Sequence, residues 1–351
     1  MASDHLNPSR GHPHEYPLYE KLELMSTTEK APSRQAPPEG KIKAKKRPGD
    51  IAFSGTSLGA GIIILLVLAA TAVFLVVQSI PAFTSDPESN TTLAGKSFWE
   101  YALPLLFGTV WSSLIALAIA TPIAIGIALF ISHYAPRKLA AVLGYVIDLL
   151  AAVPSVVFGL WGMQFFSHFL QPFYATLTDT IGTWPVLEWF FGGPASPSGR
   201  TILTASLVLA VMILPIMTAI SREVFLQTPK LHEEAALALG ATRWEMISMA
   251  VLPFARSGMV SGAMLGLGRA LGETMAVTMV LSGSPIIVVQ MLQSGNPLSI
   301  AANIAQDFPE AHGTGINTLI ATGLVLFIVT FLVNAVARWI VNRRAEFSGA
   351  N

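Results

Sequence analysis

The chain has 351 residues, 52% of them hydrophobic and only 12% charged, with a mean hydropathy of +0.59, whereas a soluble domain averages about 25% charged residues. Its 21 basic and 21 acidic side chains cancel, so no net positive field recruits nucleic acid. With no cysteine, disulfides, thiolate metal sites and cysteine nucleophiles are excluded, and the composition is that of an all-α integral membrane protein.

Residues 1–52 differ in kind from the rest of the chain. HLNPSRGHPHEYPLYEKLELMSTTEKAPSRQAPPEGKIKAKKRPGD is rich in Pro, Ser, Lys and Glu without apolar periodicity, which reads as a disordered tail. Its basic end, KIKAKKR, abuts the first apolar run as an anchor toward anionic lipid. His5, His12 and His14 read as solvated tail side chains rather than a metal site. Six runs then reach the roughly 20 apolar residues that a bilayer crossing needs: Leu58–Ser79, Pro104–Ser132, Leu139–Phe166, Thr201–Ile220, Val251–Gly283 and Asn317–Val341. They make residues 53–345 one six-helix membrane domain, with a short tail at 346–351. Because a long polar tail precedes it, the first run is expected to be a retained span and not a cleaved signal peptide.

Within the runs, repeated Gly, Ala and Ser suit close helix packing, and Pro122, Pro154 and Pro215 are expected to kink their helices. The connections TSDPESNTT, TWPVLEWFFGGPASPSG and QSGNPLSIAANIAQDFPEAHG carry acids, aromatics and prolines, as interfacial or re-entrant pieces do. Trp99, Trp184 and Trp189 are expected at headgroup level. The basic residues set the orientation. Nine lie up to Ala52, two are Arg137 and Lys138, four are Arg222, Lys230, Arg243 and Arg256, and three are Arg338, Arg343 and Arg344. That places 18 of 21 on one side, against Lys96 and Arg200 on the other and Arg269 inside a span; both termini are therefore expected in the cytoplasm.

One motif is a decoy. NTTLAGKS ends like a phosphate-binding P-loop, but Asn90 stands where the pattern requires Gly and no strand precedes it. The same NTT is formally a glycosylation sequon, which has little weight without a known host.

The connection QTPKLHEEAALALGATRWEMISMAVLP is too charged to cross a membrane. Pro229 opens a helix, Glu233 and Glu234 sit near its positive end, and Gly240 breaks the apolar run, so a short helix is expected to lie on the cytoplasmic face. Further on, GLGRALGETMAV places Arg269 and Glu273 in a run that otherwise reads as buried. Four residues apart, they are expected on one helix face and within reach of each other. Gly258, Gly262 and Gly266 belong to that face and mark where another helix packs closely. A charge in mid-membrane costs about 2.5 to 3.5 kcal/mol on insertion scales. Two readings are open: a buried salt bridge that sets helix register, or an arginine lining an anion's route with Glu273 holding or exchanging it. Asp148, before LLAAVPS, is the third ionisable residue of the spans and is expected to make a packing or gating hydrogen bond, or to touch the substrate path.

Glu234-Ala235-Ala236, Gly240 and Leu252-Pro253 resemble the EAA loop of ABC importer permeases, E-A-A-x-x-x-G-x9-I-x-L-P. The spacing matches throughout, with Ala250 where the family usually has Ile. The resemblance implies that Glu234, Ala235, Ala236 and Gly240, with Arg243 and Trp244 beside them, dock in a groove of a separate ATP-hydrolysing subunit. GAMLGLGRALGETMAVTMVLSG, DLLAAVPSVVFGLWG and FGTVWSSLIALAIATPIAIGIALFIS sharpen the match to phosphate ABC importer permeases of the PstC type, over roughly Leu103 to Arg343. Membership implies a type I importer permease fold in a bacterial plasma (inner) membrane, with Arg269 and Glu273 tied to phosphate passage. It also implies a second permease of PstA type, two copies of a PstB-type ATPase that bind the ATP and magnesium, and an extracytoplasmic PstS-type phosphate-binding protein. This chain itself would bind no cofactor and catalyse no covalent step.

Three rivals are distinguishable. The same machinery could carry sulfate or molybdate; a secondary carrier could use Arg269 and Glu273 as an ion relay without any ATPase; a scaffold or phosphate sensor would bind partners after loss of both charges.

Overall fold

A computed structural model describes residues 48–345, and no strand occurs among them. The chain divides into two compact units, Met1–Ile63 and Ile64–Asn351, with the boundary inside the first helix, α1 (Pro48–Thr84). Of the first unit, residues 48–63 are described: helical turns that leave Phe53, Leu58, Ile62 and Ile63 exposed. The tail at residues 1–47 and residues 346–351, for which the sequence predicts disorder and a short tail, lie outside the described residues.

The second unit begins with the rest of α1 and continues with α2 (Phe98–Leu129). Helix α2 starts where Ser97 and Glu100 cap each other: the Glu100 N–H donates to Ser97 Oγ at 3.3 Å and the Ser97 N–H to Glu100 Oε2 at 2.8 Å, satisfying two amides with no intrahelical partner. It runs on through a π-helical turn, Phe130–Tyr134. Ala116, Ala120, Ala124 and Ala128, one turn apart, are fully buried. They let α2 approach α7 (Ile202–Leu226) closely, and these two helices form the most extensive pair in the protein. Pro122 and Pro215 lie inside α2 and α7, both continuous helices.

The third predicted span is not one helix. α3 (Arg137–Ala151) ends, and α4 (Ser155–Trp161), continued by a π-helical turn and α5 (Ser167–Thr180), leaves at 89°. Pro154 sits at the break with ψ 139°; its ring excludes the helical conformation from the residue before it and it offers no N–H. What the sequence suggests as a kink is thus a full break. Beyond a one-turn helix, α6 (Glu188–Phe191), come α7, then α8 (Lys230–Ala238) and α9 (Arg243–Met246). A π-helical turn joins α9 to α10 (Leu252–Leu271).

The fifth predicted span, Val251–Gly283, also differs. It begins at Arg243 and ends at Leu271; Gly272 terminates it, and α11 (Met275–Val280) starts afresh. An irregular segment comes next, then α12 (Ile300–Asp307) and the long α13 (Thr314–Ala345). Residues 281–299 are held by their own polar groups: Asn296 accepts from the Ile202 N–H at 3.0 Å and donates to Gln290 O at 2.7 Å, while the Ser196 and Met291 N–H groups donate to Leu292 O and Phe190 O at 2.8 Å. Non-helical backbone is tolerated at membrane depth when its groups are paired inside protein. Among the described residues, five helices are long and apolar enough to cross a membrane, six crossings if α3 to α5 count as one. The exposed side of α1, with Leu65, Leu66, Val73 and Phe74 uncovered, is the lipid-facing surface such a fold requires.

Gly108 of α2 touches the 281–299 segment so closely that a Cβ there would stand 2.5 Å from Pro297 O and 2.6 Å from Leu298 O. Both are backbone atoms that cannot turn aside. Gly108→Ala is expected to destabilise the protein by about 1 to 3 kcal/mol, read as a lower thermal midpoint in detergent. Gly126→Ala, with nothing within 4 Å of the new carbon, should leave the midpoint unchanged.

Candidate coupling helix and buried-charge cleft

Helix α8 is shaped by its ends and by two inward positions. Gly240 adopts φ +87°, a left-handed conformation that glycine takes at no steric cost. This lets the Gly240 N–H reach Leu237 O at 3.0 Å and the Ala241 N–H reach Ala236 O at 3.2 Å, the paired bonds that close a helix C-terminus. Ala236 packs on a cluster formed by Ala128, Leu129, Phe225, Met246, Ile247, Val251 and Ala255. One turn earlier on the same side, Glu233 Oε1 lies 3.6 Å from His133 Nε2; the His133 side chain is only 8% exposed, and its Nδ1 is 2.7 Å from Ser132 Oγ. Helix α8 is therefore tied by Glu233 to the π-helical turn that ends α2.

The opposite side is open. Glu234, Ala235 and Arg243 are exposed, among uncovered Leu231, Leu237, Leu239, Trp244 and Met249, with Leu239 at 90%. Large apolar side chains beside charges at one end of a bundle are what a protein-docking face looks like.

The second group of predicted residues lies on α10. A Cβ at Gly258 would stand 2.4 Å from Val224, at Gly262 3.2 Å from Ile220, and at Gly266 2.9 Å from Met217. All three partners belong to α7, so these glycines are where α10 and α7 touch. Past Gly266 the expectation fails in one respect. The four-residue spacing implies contact only along an unbroken helix, and α10 stops at Leu271. Glu273 lies beyond the break, buried, and its Oε1 accepts from the Ala276 N–H at 3.1 Å to cap α11. Among the described residues no ion pair joins Arg269 to Glu273, so the register-setting salt bridge does not form.

Arg269 is half-buried and lines an open cleft of about 650 Å³. Its walls include Ser261 and Gly268 of α10, Ile216 of α7, and Asn334 and Arg338 of α13. Asp148 is exposed on α3 and does not line this cleft. Three structural features escape the sequence. Arg338 appears there only as one of many terminal cations. His133 carries no local signal, because its partner is 100 residues away. Arg200, counted as a cation of the far side, donates from Nη2 to Met279 O at 3.0 Å and Leu281 O at 3.3 Å, closing the end of α11.

Residues 120–346, more than half of the chain, match the family described as binding-protein-dependent transport system inner membrane component. The chain belongs to this family. A Mycobacterium tuberculosis protein named phosphate transport system permease protein PstC 2 is 43% identical over 313 residues, covering 86% of this chain and 94% of its own. A Mesorhizobium japonicum protein named phosphate transport system permease protein PstC is 38% identical over 312 residues, covering 86% and 92%. In shape the permease is similar to a chain from a solved bacterial ABC transporter involved in import of the acidic polysaccharide alginate. That chain has a TM-score of 0.53 at 16% identity, with 84% of this chain and 96% of that one covered; the likeness is one of fold. The chain is thus a multi-pass membrane permease subunit.

Because nothing lies within 4 Å of a Cβ at Gly240, the cost of a side chain there is purely one of backbone conformation. Gly240→Val is expected to cost about 1 to 2 kcal/mol and Gly240→Asn markedly less. The effect should appear as faster amide hydrogen exchange at Gly240 and Ala241 in the valine variant, with the α10 amides unaffected.

Proposed function

We propose that this permease forms half of the translocation path of an ATP-driven importer of inorganic phosphate. The observation that carries the reading is the 43% identity, over most of both chains, to a relative named as a phosphate transport system permease. The structure supports it with an exposed docking helix at one end and, in a cleft between spans, an arginine that has no ionic partner among the described residues. In this reading Glu234, Ala235 and Gly240 lie on the face that a separate PstB-type ATPase grips, while Ala236, expected there too, instead seats the helix on the bundle; two copies of the ATPase act on this chain and on a second, PstA-type permease. ATP and magnesium are held by the ATPase. A PstS-type binding protein delivers phosphate to the opposite end. The positive-inside count of 18 against two supports a plasma-membrane protein with both termini in the cytoplasm, which puts α8 on the ATP side.

The mechanism assigned to this chain is alternating access. Movement of the docked α8 passes through Ala236 and the Glu233–His133 contact to α2, and through the π-helical turn at Ile247–Val251 to α10. Arg269 then meets the anion with a guanidinium that stays charged at any physiological pH. Glu273 acts indirectly, holding the start of α11 next to the Gly272 break, a place where α10 and α11 can change their angle. Asp148 stands as a further candidate on the path once the second permease covers α3.

The test is labelled phosphate uptake by proteoliposomes containing the whole assembly, with ATP on the cytoplasmic side. Uptake should require ATP and ignore excess sulfate. Arg269→Gln should lower it by about tenfold or more, the worth of a charge-assisted hydrogen bond. Glu273→Gln, which keeps an acceptor for the Ala276 N–H, should retain more uptake than Glu273→Leu. Uptake without ATP would overturn the reading in favour of a secondary carrier, and competition by sulfate would broaden the substrate.

A further inference from the structure

Arg269 does not face its cleft alone. Arg338 and Asn334, one turn apart on α13, line the opposite wall, and Ser261 lies two turns before Arg269 on α10. The lining thus offers two guanidinium groups, an amide and a hydroxyl, and no carboxylate. Among the described residues neither guanidinium has a carboxylate within 4.0 Å. Arg269 is half-buried and Arg338 exposed; a guanidinium keeps its proton in either setting, so both charges are met by water or by an anion. The space suits that: about 650 Å³ corresponds to roughly 20 waters at about 30 Å³ each. This is a wet vestibule and not a fitted socket.

Chain direction orders the two arginines. α10 leads away from the end that carries α8 and α9, and Arg269 stands in its last turn; α13 returns toward that end, and Arg338 stands seven residues before its last described residue, Ala345. Val260 and Ser261, midway along α10 and nearer the α8 end than Arg269, share the cleft with Arg338. An anion released from Arg269 and moving toward the α8 end therefore passes the α13 wall. We propose that Arg338 and Asn334 form a second, inner subsite for a tetrahedral oxyanion, which takes phosphate from Arg269 and hands it to the cytoplasm. Arg338 supplies the charge and a planar pair of donors suited to two phosphate oxygens. Asn334 adds an amide donor one turn away. The subsite rests on the importer reading, which supplies the anion and the direction.

The decisive experiment measures binding apart from transport. The chain has no cysteine of its own, so Ser261→Cys introduces a single thiol into the vestibule wall. In the assembled transporter, without ATP, inorganic phosphate should slow labelling of that thiol by a neutral thiosulfonate several-fold, while chloride at equal ionic strength should not. Adding Arg338→Gln should abolish the protection, and Arg338→Lys should preserve part of it. In ATP-driven uptake Arg338→Gln should lower the rate at saturating phosphate by about tenfold. Arg256→Gln, a cation outside the cleft lining, should change neither readout. Protection that survives Arg338→Gln overturns the subsite, whatever happens to uptake, and lost uptake with intact protection makes Arg338 a structural residue. Failure of the unmodified assembly to import phosphate would sink the importer reading alone, since protection dependent on Arg338 would still establish the anion site.

Discussion

The structure hangs on how closely α7 can be approached from two sides. α2 brings a stripe of alanines, Ala116, Ala120, Ala124 and Ala128, buried in the same clusters as Val208, Leu209, Ile213 and Phe225 of α7. α10 brings Gly258, Gly262 and Gly266 against Val224, Ile220 and Met217. In a bilayer, lipid tails are as apolar as leucine, so helices associate through close van der Waals contact rather than by escaping water. Removing side chains from the seam is what makes that contact dense. The three-helix sandwich then fixes where α10 points, and with it the position of Arg269 and the cleft shared with α13.

That constraint explains which features are legible in the sequence. Four of the six spans are evident because an apolar run is enough to define them; the caps at Ser97 with Glu100 and at Thr201, which fix where two of those helices begin, are seen in the structure. Span three is not, because proline alone does not distinguish a bend from a break: Pro122 and Pro215 sit inside continuous helices and Pro154 between two. What decides is the partner across the break. Once turned, α4 places Gly159 where a Cβ would be 3.0 Å from the Ala276 Cα, and Gly162 where it would be 2.8 Å from Val208 and Val280. This surface exists only if α10 has already ended and α11 has begun. The broken third span and the shortened fifth are one event, a long-range fit that no local spacing reports.

Helix α8 shows the same division at smaller scale. The spacing of Glu234-Ala235-Ala236 and Gly240 is enough to recognise a loop with a shared design, and the positive φ at Gly240 gives the physical reason for a glycine there. The adjacent glutamates look equivalent in sequence. Helical geometry separates them, because Glu233 shares a side with Ala236 three positions on, and that side is held against the bundle. Glu234 is left facing outward. His133, which decides the matter by meeting Glu233, is remote in sequence and belongs to a π-helical turn that no composition signals.

The ionisable groups within the bundle are resolved in three ways, and the contrast assigns them roles. Glu273 takes a backbone N–H at the start of α11; Arg200 gives its Nη2 to two carbonyls at the end of the same helix; Glu233 and His133 take each other. Each of these side chains has a partner within the protein and helps to hold a joint in place, although Arg200 Nε is buried without a partner. Arg269 differs: like Arg338 in the same open cleft, it has no carboxylate within 4.0 Å among the described residues. An ion pair with Glu273 would have stabilised the resting fold while neutralising Arg269. By ending α10 at Leu271 and turning Glu273 to the backbone, the fold keeps a carboxylate nearby without neutralising the arginine. The helix break therefore has an electrostatic consequence as well as a mechanical one, because it separates two opposite charges that an unbroken helix would have paired.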